Sequence, residues 1–321
     1  MRYFKAIVSY VGANYCGWQS QKKGNSIQEK IEDILEQINQ KKTSIIASGR
    51  TDAKVNALGQ CFQFQSEKDI DAYHWLGIFH SFLPKDIYVK EIEEVDEDFH
   101  ARFLVEQKTY VYRLHLGEYD VFQKDCALQL DESLDLNVMR ACWHLFKGTH
   151  SFLSFNTSSL LEHPNQVRTI FHIEMREVNG DVEFEISGSG YLRHMVRMLV
   201  GTCLEVGRNK LSLDEVCTML KEPSRKYSTK KVAAQGLCLK NVTYHHALAR
   251  NEAYLLRDVS SYDRLDEKVA YVLIERKENG CCYALDSSGC LLEGSLPTDA
   301  NFLEIVEKAK RKGLCIIDKA K

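Results

Sequence analysis

Gly49-Arg50-Thr51-Asp52-Ala53, completed by Ala57-Leu58-Gly59-Gln60, decides how this chain is read. An apolar run, Ile45-Ile46-Ala47, precedes it, and the alternating Cys61-Phe62-Gln63-Phe64-Gln65 follows. That order predicts strand, polar loop, strand, with Asp52 presented on the loop. Binding and catalytic side chains concentrate on loops held by rigid elements. Gly49 lets the backbone turn tightly and approach a ligand closely. Arg50 offers a planar fork of donors that fits a phosphate or a carboxylate. A turn with an Asx bond and a solvated arginine has the same composition, so these five residues alone leave function open.

Upstream, Phe4, Ala6, Val8 and Tyr10 alternate and predict a first strand. Ser26-Ile27-Gln28-Glu29 has the capping-box pattern. Ile27, Ile31, Ile34, Leu35 and Ile38 then mark one face of an amphipathic helix. Downstream, the pattern predicts a helix over 71–82 and strands over 87–95 and 109–116, the last with Tyr110, Tyr112 and Leu114 on one face. A second half opens near Asp131. It offers a helix ending at Gly148 as C-terminal cap, strands over 166–178 and 182–187, a helix over 191–206, a capped helix from Ser212, and a strand over 236–244. Each half mixes helices with adjacent strands, an α+β pattern. Beyond Ala247, strand-like runs over 269–276 and 281–285 flank Asn279-Gly280, a hairpin signal. A turn at Ser288-Gly289, a helix over 300–312 and a strand over 314–317 complete a small α+β appendage with no phosphate loop, metal spacing or triad. The predicted divisions are therefore 1–130, 131–247 and 248–321.

With 321 residues, 44% hydrophobic and 27% charged, the chain can bury a substantial core and reads as a soluble globular protein. No run of eighteen apolar residues predicts a membrane span. The N-terminus goes directly into strand-like alternation instead of a signal peptide, which predicts a cytoplasmic protein. Its 11 cysteines are scattered, with one adjacent pair at Cys281-Cys282 and none at C-x-x-C spacing. Reduced thiols fit better than disulfides or a zinc site. A net charge of −3 does not announce a nucleic-acid binder, but a local basic stripe is the relevant footprint. Candidate pieces are Lys22-Lys23, Lys41-Lys42 and the loop from Arg225 to Lys231. Each alone reads as solvated surface and gains meaning if folding collects it around Asp52.

Four segments besides appear in a telling order: Phe99-His100-Ala101-Arg102-Phe103, Lys108-Thr109-Tyr110-Val111-Tyr112, His194-Met195-Val196-Arg197, and Val200-Gly201 running to Glu205-Val206-Gly207. Weaker matches are Tyr15-Cys16-Gly17-Trp18-Gln19-Ser20-Gln21, Leu83-Pro84-Lys85-Asp86-Ile87, Arg168-Thr169-Ile170 and Gly236-Leu237-Cys238-Leu239. With the Asp52 loop they resemble the TruA family of tRNA pseudouridine synthases over roughly residues 3 to 245. Several matches in sequence order are far more specific than any one. The resemblance implies a pseudouridine synthase fold, in which both halves share one largely antiparallel sheet with a cleft across its middle. It implies an isomerase acting on tRNA uridines at positions 38 to 40, assembled as a homodimer and needing neither metal nor organic cofactor. It places Asp52 at the sugar of the target nucleotide and Arg197 as its cationic partner, with Tyr110 stacking on the base. Arg50 and Arg102 suit RNA phosphates, and His100 is a further binding candidate. Read without the resemblance, Tyr110 is core filling, Arg197 a structural helix arginine, Arg50 and Arg102 surface salt-bridge residues, and His100 a structural hydrogen-bonding residue.

The chain also departs from the family's pattern. The loop usually continues Asp-Ala-Gly-Val-His, whereas Lys54 and Asn56 stand here. Val11 occupies a usual Asp position, and Ala234 a frequent Pro position. Lys54 replaces a glycine suited to an unusual backbone angle. Asn56 removes a ring but keeps donor and acceptor groups. A second reading follows, a tRNA-binding or tRNA-folding protein that has lost turnover. A carboxylate-dependent hydrolase would need a second, paired carboxylate, which nothing beside Asp52 signals.

Overall fold

β1 (Arg2–Tyr10) buries Phe4, Ala6, Val8 and Tyr10 on one face, as their alternation requires. The computed structural model describes residues 1–21, 24–161, 163–227 and 229–244, and the backbone of short strands at 271–275, 281–285 and 315–318. α1 (Ile27–Asn39) starts at a capping box in which Ser26 and Glu29 each satisfy the other's backbone N–H. Next come β2 (Ile46–Ala47), β3 (Asn56–Ser66), α2 (Ala72–Phe82), β4 (Ile87–Val95) and β5 (Val105–Leu116). They are followed by β6 (Leu128–Leu130), α3 (Leu136–Leu145), β7 (Gly148–Ser151), β8 (Val167–Val178) and β9 (Asp181–Gly188). α4 (Met195–Gly207), α5 (Leu213–Lys221) and β10 (Leu237–Tyr244) complete the main body.

Ten strands form one mixed sheet in the order β4-β1-β3-β10-β5-β9-β8-β7, with β2 beside β3 and β6 beside β5. Only β3 with β10 and β5 with β6 run parallel, so the sheet is largely antiparallel, as the resemblance implies. The β3–β10 seam is short, pairing Asn56 with Cys238 and Ala57 with Leu239. Two apolar cores flank it. One gathers Phe4, Phe62, Phe64, Trp75 and Phe79 beneath α1 and α2, and the other Tyr112, Trp143, Phe184 and the apolar side chains of α4. Tyr110 packs against both. Although β5 lies within the first 130 residues, it pairs with β9 and β10.

Two expected helix boundaries differ. α3 ends at Leu145, and Gly148, at φ 109°, opens β7 instead of capping the helix. α4 begins at Met195 and not at Tyr191. Tyr191 and Leu192 keep the apolar rhythm but sit in the preceding turn, where Tyr191 packs edge-on against Tyr110. None of the helices among the described residues is long and apolar enough to cross a membrane.

The chain divides into two compact units, Met1–Ser158 with Gln166–Tyr244, and Ser159–Asn165 with His245–Lys321. In the second unit β11 (Tyr271–Glu275) pairs antiparallel with β12 (Cys281–Leu285) and parallel with β13 (Cys315–Asp318). The expected turns at Asn279-Gly280 and Ser288-Gly289, the helix over 300–312 and the boundary near Ala247 lie outside the described residues, as do Lys22 and Lys23.

Candidate active site

Asp52 stands on the loop that joins β2 to β3, and the loop is tied down along its length. The Ser48 N–H donates to the Cys61 carbonyl at 2.8 Å, and its hydroxyl donates to Gln60 Oε1 at 2.6 Å. Gln60 Nε2 in turn donates to the Gly49 carbonyl at 2.9 Å. The Thr51 hydroxyl bonds the buried Tyr10 hydroxyl at 2.8 Å, and the Thr51 carbonyl accepts from Trp18 N–H at 3.1 Å. Gly17, at φ 104°, lies so close that a Cβ there would sit 2.7 Å from the Thr51 carbonyl oxygen. The weak Tyr15-to-Gln21 match is thus the clasp that holds the Asp52 loop.

Opposite the loop, α4 is buried almost all round, and Arg197 in its first turn is only 8% exposed. Its Nε donates to the Val232 carbonyl at 2.8 Å, which leaves Nη1 3.5 Å from Asp52 Oδ2. His194 precedes the helix in the left-handed conformation, at φ 63°, and brings Nε2 to 3.5 Å from the same oxygen. Its Nδ1 lies 2.6 Å from the Thr157 hydroxyl. Thr157 donating to Nδ1 leaves the proton on Nε2, facing the carboxylate. Burial holds His194 below the usual imidazole range; Asp52 pulls the other way, against the charges of Lys231, Arg197 and Arg193. Asp52 itself keeps a third of its side chain exposed, so it is both paired and reachable.

Tyr110, on β5, meets the Tyr191 ring edge-on at 5.3 Å between centroids. Burial first, and the Asp52 carboxylate second, raise its pKa, so the phenol stays protonated. An ionisable carboxylate between a guanidinium and a neutral imidazole, beside an aromatic face, can attack or deprotonate a sugar while a base is held by stacking.

The family model described as tRNA pseudouridine synthase matches residues 6–104, which include the Asp52 loop, and 143–245, which include His194 and Arg197. The chain belongs to this family. Among curated tRNA pseudouridine synthases it is 39% identical to tRNA pseudouridine synthase A of Exiguobacterium sp. over 244 residues, 76% of this chain and 98% of that protein. It is 36% identical to tRNA pseudouridine synthase A 1 of a Bacillus cereus strain over 244 residues, covering 75% and 98%. It is 35% identical to tRNA pseudouridine synthase A of Acetivibrio thermocellus over 245 residues, covering 76% and 100%.

Lys54 and Asn56 each have a structural account. Lys54 adopts the left-handed φ of 65° that a glycine takes freely, so the turn survives at a cost of about 1–2 kcal/mol. Asn56 is buried, accepts from Gly12 N–H at 2.7 Å, and donates to the carbonyls of Asp125 at 2.8 Å and Gln235 at 2.9 Å. Every polar group of its side chain is therefore used. Val11 donates its N–H to the Asp86 carbonyl at 3.0 Å, and the carbonyl of buried Ala234 accepts from Leu237 N–H at 2.9 Å.

The remaining candidates are placed unevenly. Arg50 is exposed two residues before Asp52 and makes no ion pair among the described residues. Arg102 is exposed with its guanidinium over the Phe103 ring at 5.7 Å. His100 uses Nδ1 to accept from the N–H groups of Arg102 and Phe103 at 3.2 and 3.3 Å, shaping its own turn. That turn is anchored to Gln63 of β3 and Tyr244 of β10. Of the basic pieces, Lys231 acts on His194, but Arg225 clamps Asn156 and Ser158, Lys230 pairs with Glu205, and Lys41 pairs with Glu67. Exposed Arg193 is a third cation acting on His194, besides Lys231 and Arg197. His194 lay within a quoted motif without a role. Its position on Asp52 depends on a left-handed residue and on Thr157, neither visible in local pattern.

Proposed function

We propose that this tRNA pseudouridine synthase acts through Asp52, held by Arg197 and His194, on a uridine stacked against Tyr110. The enzyme is an isomerase of tRNA uridine. Its reaction breaks the C1′–N1 glycosidic bond, turns the base, and joins C5 to C1′ with loss of the C5 proton. The flipped base must be held throughout. Asp52 acts at the sugar, as nucleophile on C1′ or as base on C2′, and Arg197 orients it. The observation that carries this reading is the 3.5 Å approach of both Arg197 and His194 to one oxygen of a carboxylate that stays partly exposed. Arg50 and Arg102 contact phosphates, with His100 supporting the Arg102 turn. The target lies in the anticodon stem-loop at positions 38 to 40, and the enzyme works as a cytoplasmic homodimer. Asp125 and Gln235 carbonyls bonded to Asn56, and the intact turn at Lys54, support a working loop over a binding protein without turnover.

Tritium release from C5-labelled uridine in tRNA tests this directly, followed by mapping of the modified position. Asp52→Asn is expected to abolish release while keeping tRNA affinity, because phosphate contacts elsewhere carry binding. Appreciable release by purified Asp52→Asn protein overturns the assignment.

A further inference from the structure

Lys108 stands two residues before Tyr110 on β5, so strand alternation puts both side chains on the same face of the sheet. Its Nζ donates to the Ser48 carbonyl at 2.6 Å, reaching the backbone where the Asp52 loop begins. A Cβ added to Gly49 would lie 2.6 Å from that same Nζ. Gly49 does not occupy the left-handed region, so its backbone angle is open to any residue. A side chain at position 49 would therefore have to displace the Lys108 ammonium.

The site is an unusual place for a lysine. Among the described residues Lys108 has no carboxylate partner, and burial, aided by the Arg102 charge, lowers its pKa to about 8. A half-buried cation without a counter-charge among the described residues is retained against its desolvation cost. The Lys108 carbonyl also accepts from the Tyr191 hydroxyl at 3.2 Å, and the Tyr191 ring packs on Tyr110. One residue therefore touches the start of the Asp52 loop with its side chain and the support of the Tyr110 ring with its backbone.

We propose that Lys108 is a positioning residue for the isomerisation, setting the separation between the Asp52 carboxylate and the Tyr110 ring by holding Ser48, with Gly49 as the space that admits it. This rests on the roles of Asp52 and Tyr110 proposed above.

The test is a double-mutant cycle of Lys108→Ala, Gly49→Ala and both together, read as single-turnover rate at saturating enzyme, tRNA Kd with its salt dependence, and melting temperature. Each single change is expected to slow the saturated rate by about tenfold to a hundredfold, the scale of a small misplacement of reacting groups. Kd should stay within about twofold, the salt slope unchanged. The double variant should be no slower than the slower single one, because both changes undo the same contact. Lys108→Arg, which keeps a donor for Ser48, should recover much of the rate, and Lys108→Met replaces the alanine variant should that one fail to fold. Rates that multiply in the double variant overturn the coupling. Unchanged rates overturn the role. Weaker binding with a salt slope reduced by about 1 and an unchanged saturated rate makes Lys108 a phosphate contact instead. Asp52→Asn run in parallel separates the two levels: turnover by that variant rejects the site itself, whereas a dead Asp52→Asn beside normal Lys108 variants rejects only this proposal.

Discussion

Tyr110 presents a ring to both cores and a hydroxyl that makes no hydrogen bond among the described residues. Ring and hydroxyl can therefore be separated by substitution. Tyr110→Phe should keep most of the turnover, whereas Tyr110→Ala should lose base stacking worth about 1–3 kcal/mol. Equal losses in the tritium assay would place the hydroxyl in the chemistry. His194 yields a stability prediction with a definite sign. Its folded pKa lies below the unfolded value because burial disfavours the imidazolium. As pH falls through about 6.5, the unfolded chain takes up the proton first, so this contribution is complete above that value and lost below it. The drop in melting temperature between pH 7.5 and 5.5 should be smaller in His194→Gln than in the parent. An identical drop in both proteins would remove His194 as its source.

At the scale of elements, the β3–β10 seam is the joint on which the site depends. Two residue pairs make it, and Asn56 opens it. The Asn56 side chain welds Gly12, Asp125 and Gln235, which come from three separated stretches of chain. Asn56→Ala leaves one N–H and two carbonyls without this partner and should cost about 2–4 kcal/mol. Asn56→His should cost less, since a neutral imidazole supplies one donor and one acceptor and loses one carbonyl bond. Urea unfolding of the two variants measures the difference, and a fully stable Asn56→Ala protein would show the weld to be idle.

For the whole molecule, the family match ends at residue 245, and the compact unit that carries Asp52 ends at Tyr244. We propose that residues 248–321 form a separate appendage and that 1–130 and 131–247 are the two halves of the catalytic body. Truncation after Ala249 should leave a folded enzyme that releases tritium, with any deficit in binding, assembly or stability. Light scattering on the full and truncated chains should report a dimer in both, a route by which a chain of net charge −3 can present a composite basic surface to tRNA. A soluble, dimeric truncation with no catalytic step at saturating tRNA would assign the appendage to the active site. A monomeric full chain would reject the dimer.

The sequence by itself determined the α+β class and most elements of the main body, and it singled out Asp52, Tyr110 and Arg197 as site candidates. Alternation in β1, the capping boxes at Ser26 and Ser212, and ordered motifs are local signals, each generated by neighbours in the chain. It erred where apolar rhythm runs through a turn, as at Tyr191 and Leu192 before α4. Only the tertiary structure decided which residues meet. His194 reaches Asp52 because α4 is driven into the core beside the loop, and Asn56 and Lys108 act through contacts with residues 44, 60, 69 and 179 positions away. Those contacts arise from packing two cores along one sheet, a collective result of burial that no short window of sequence contains.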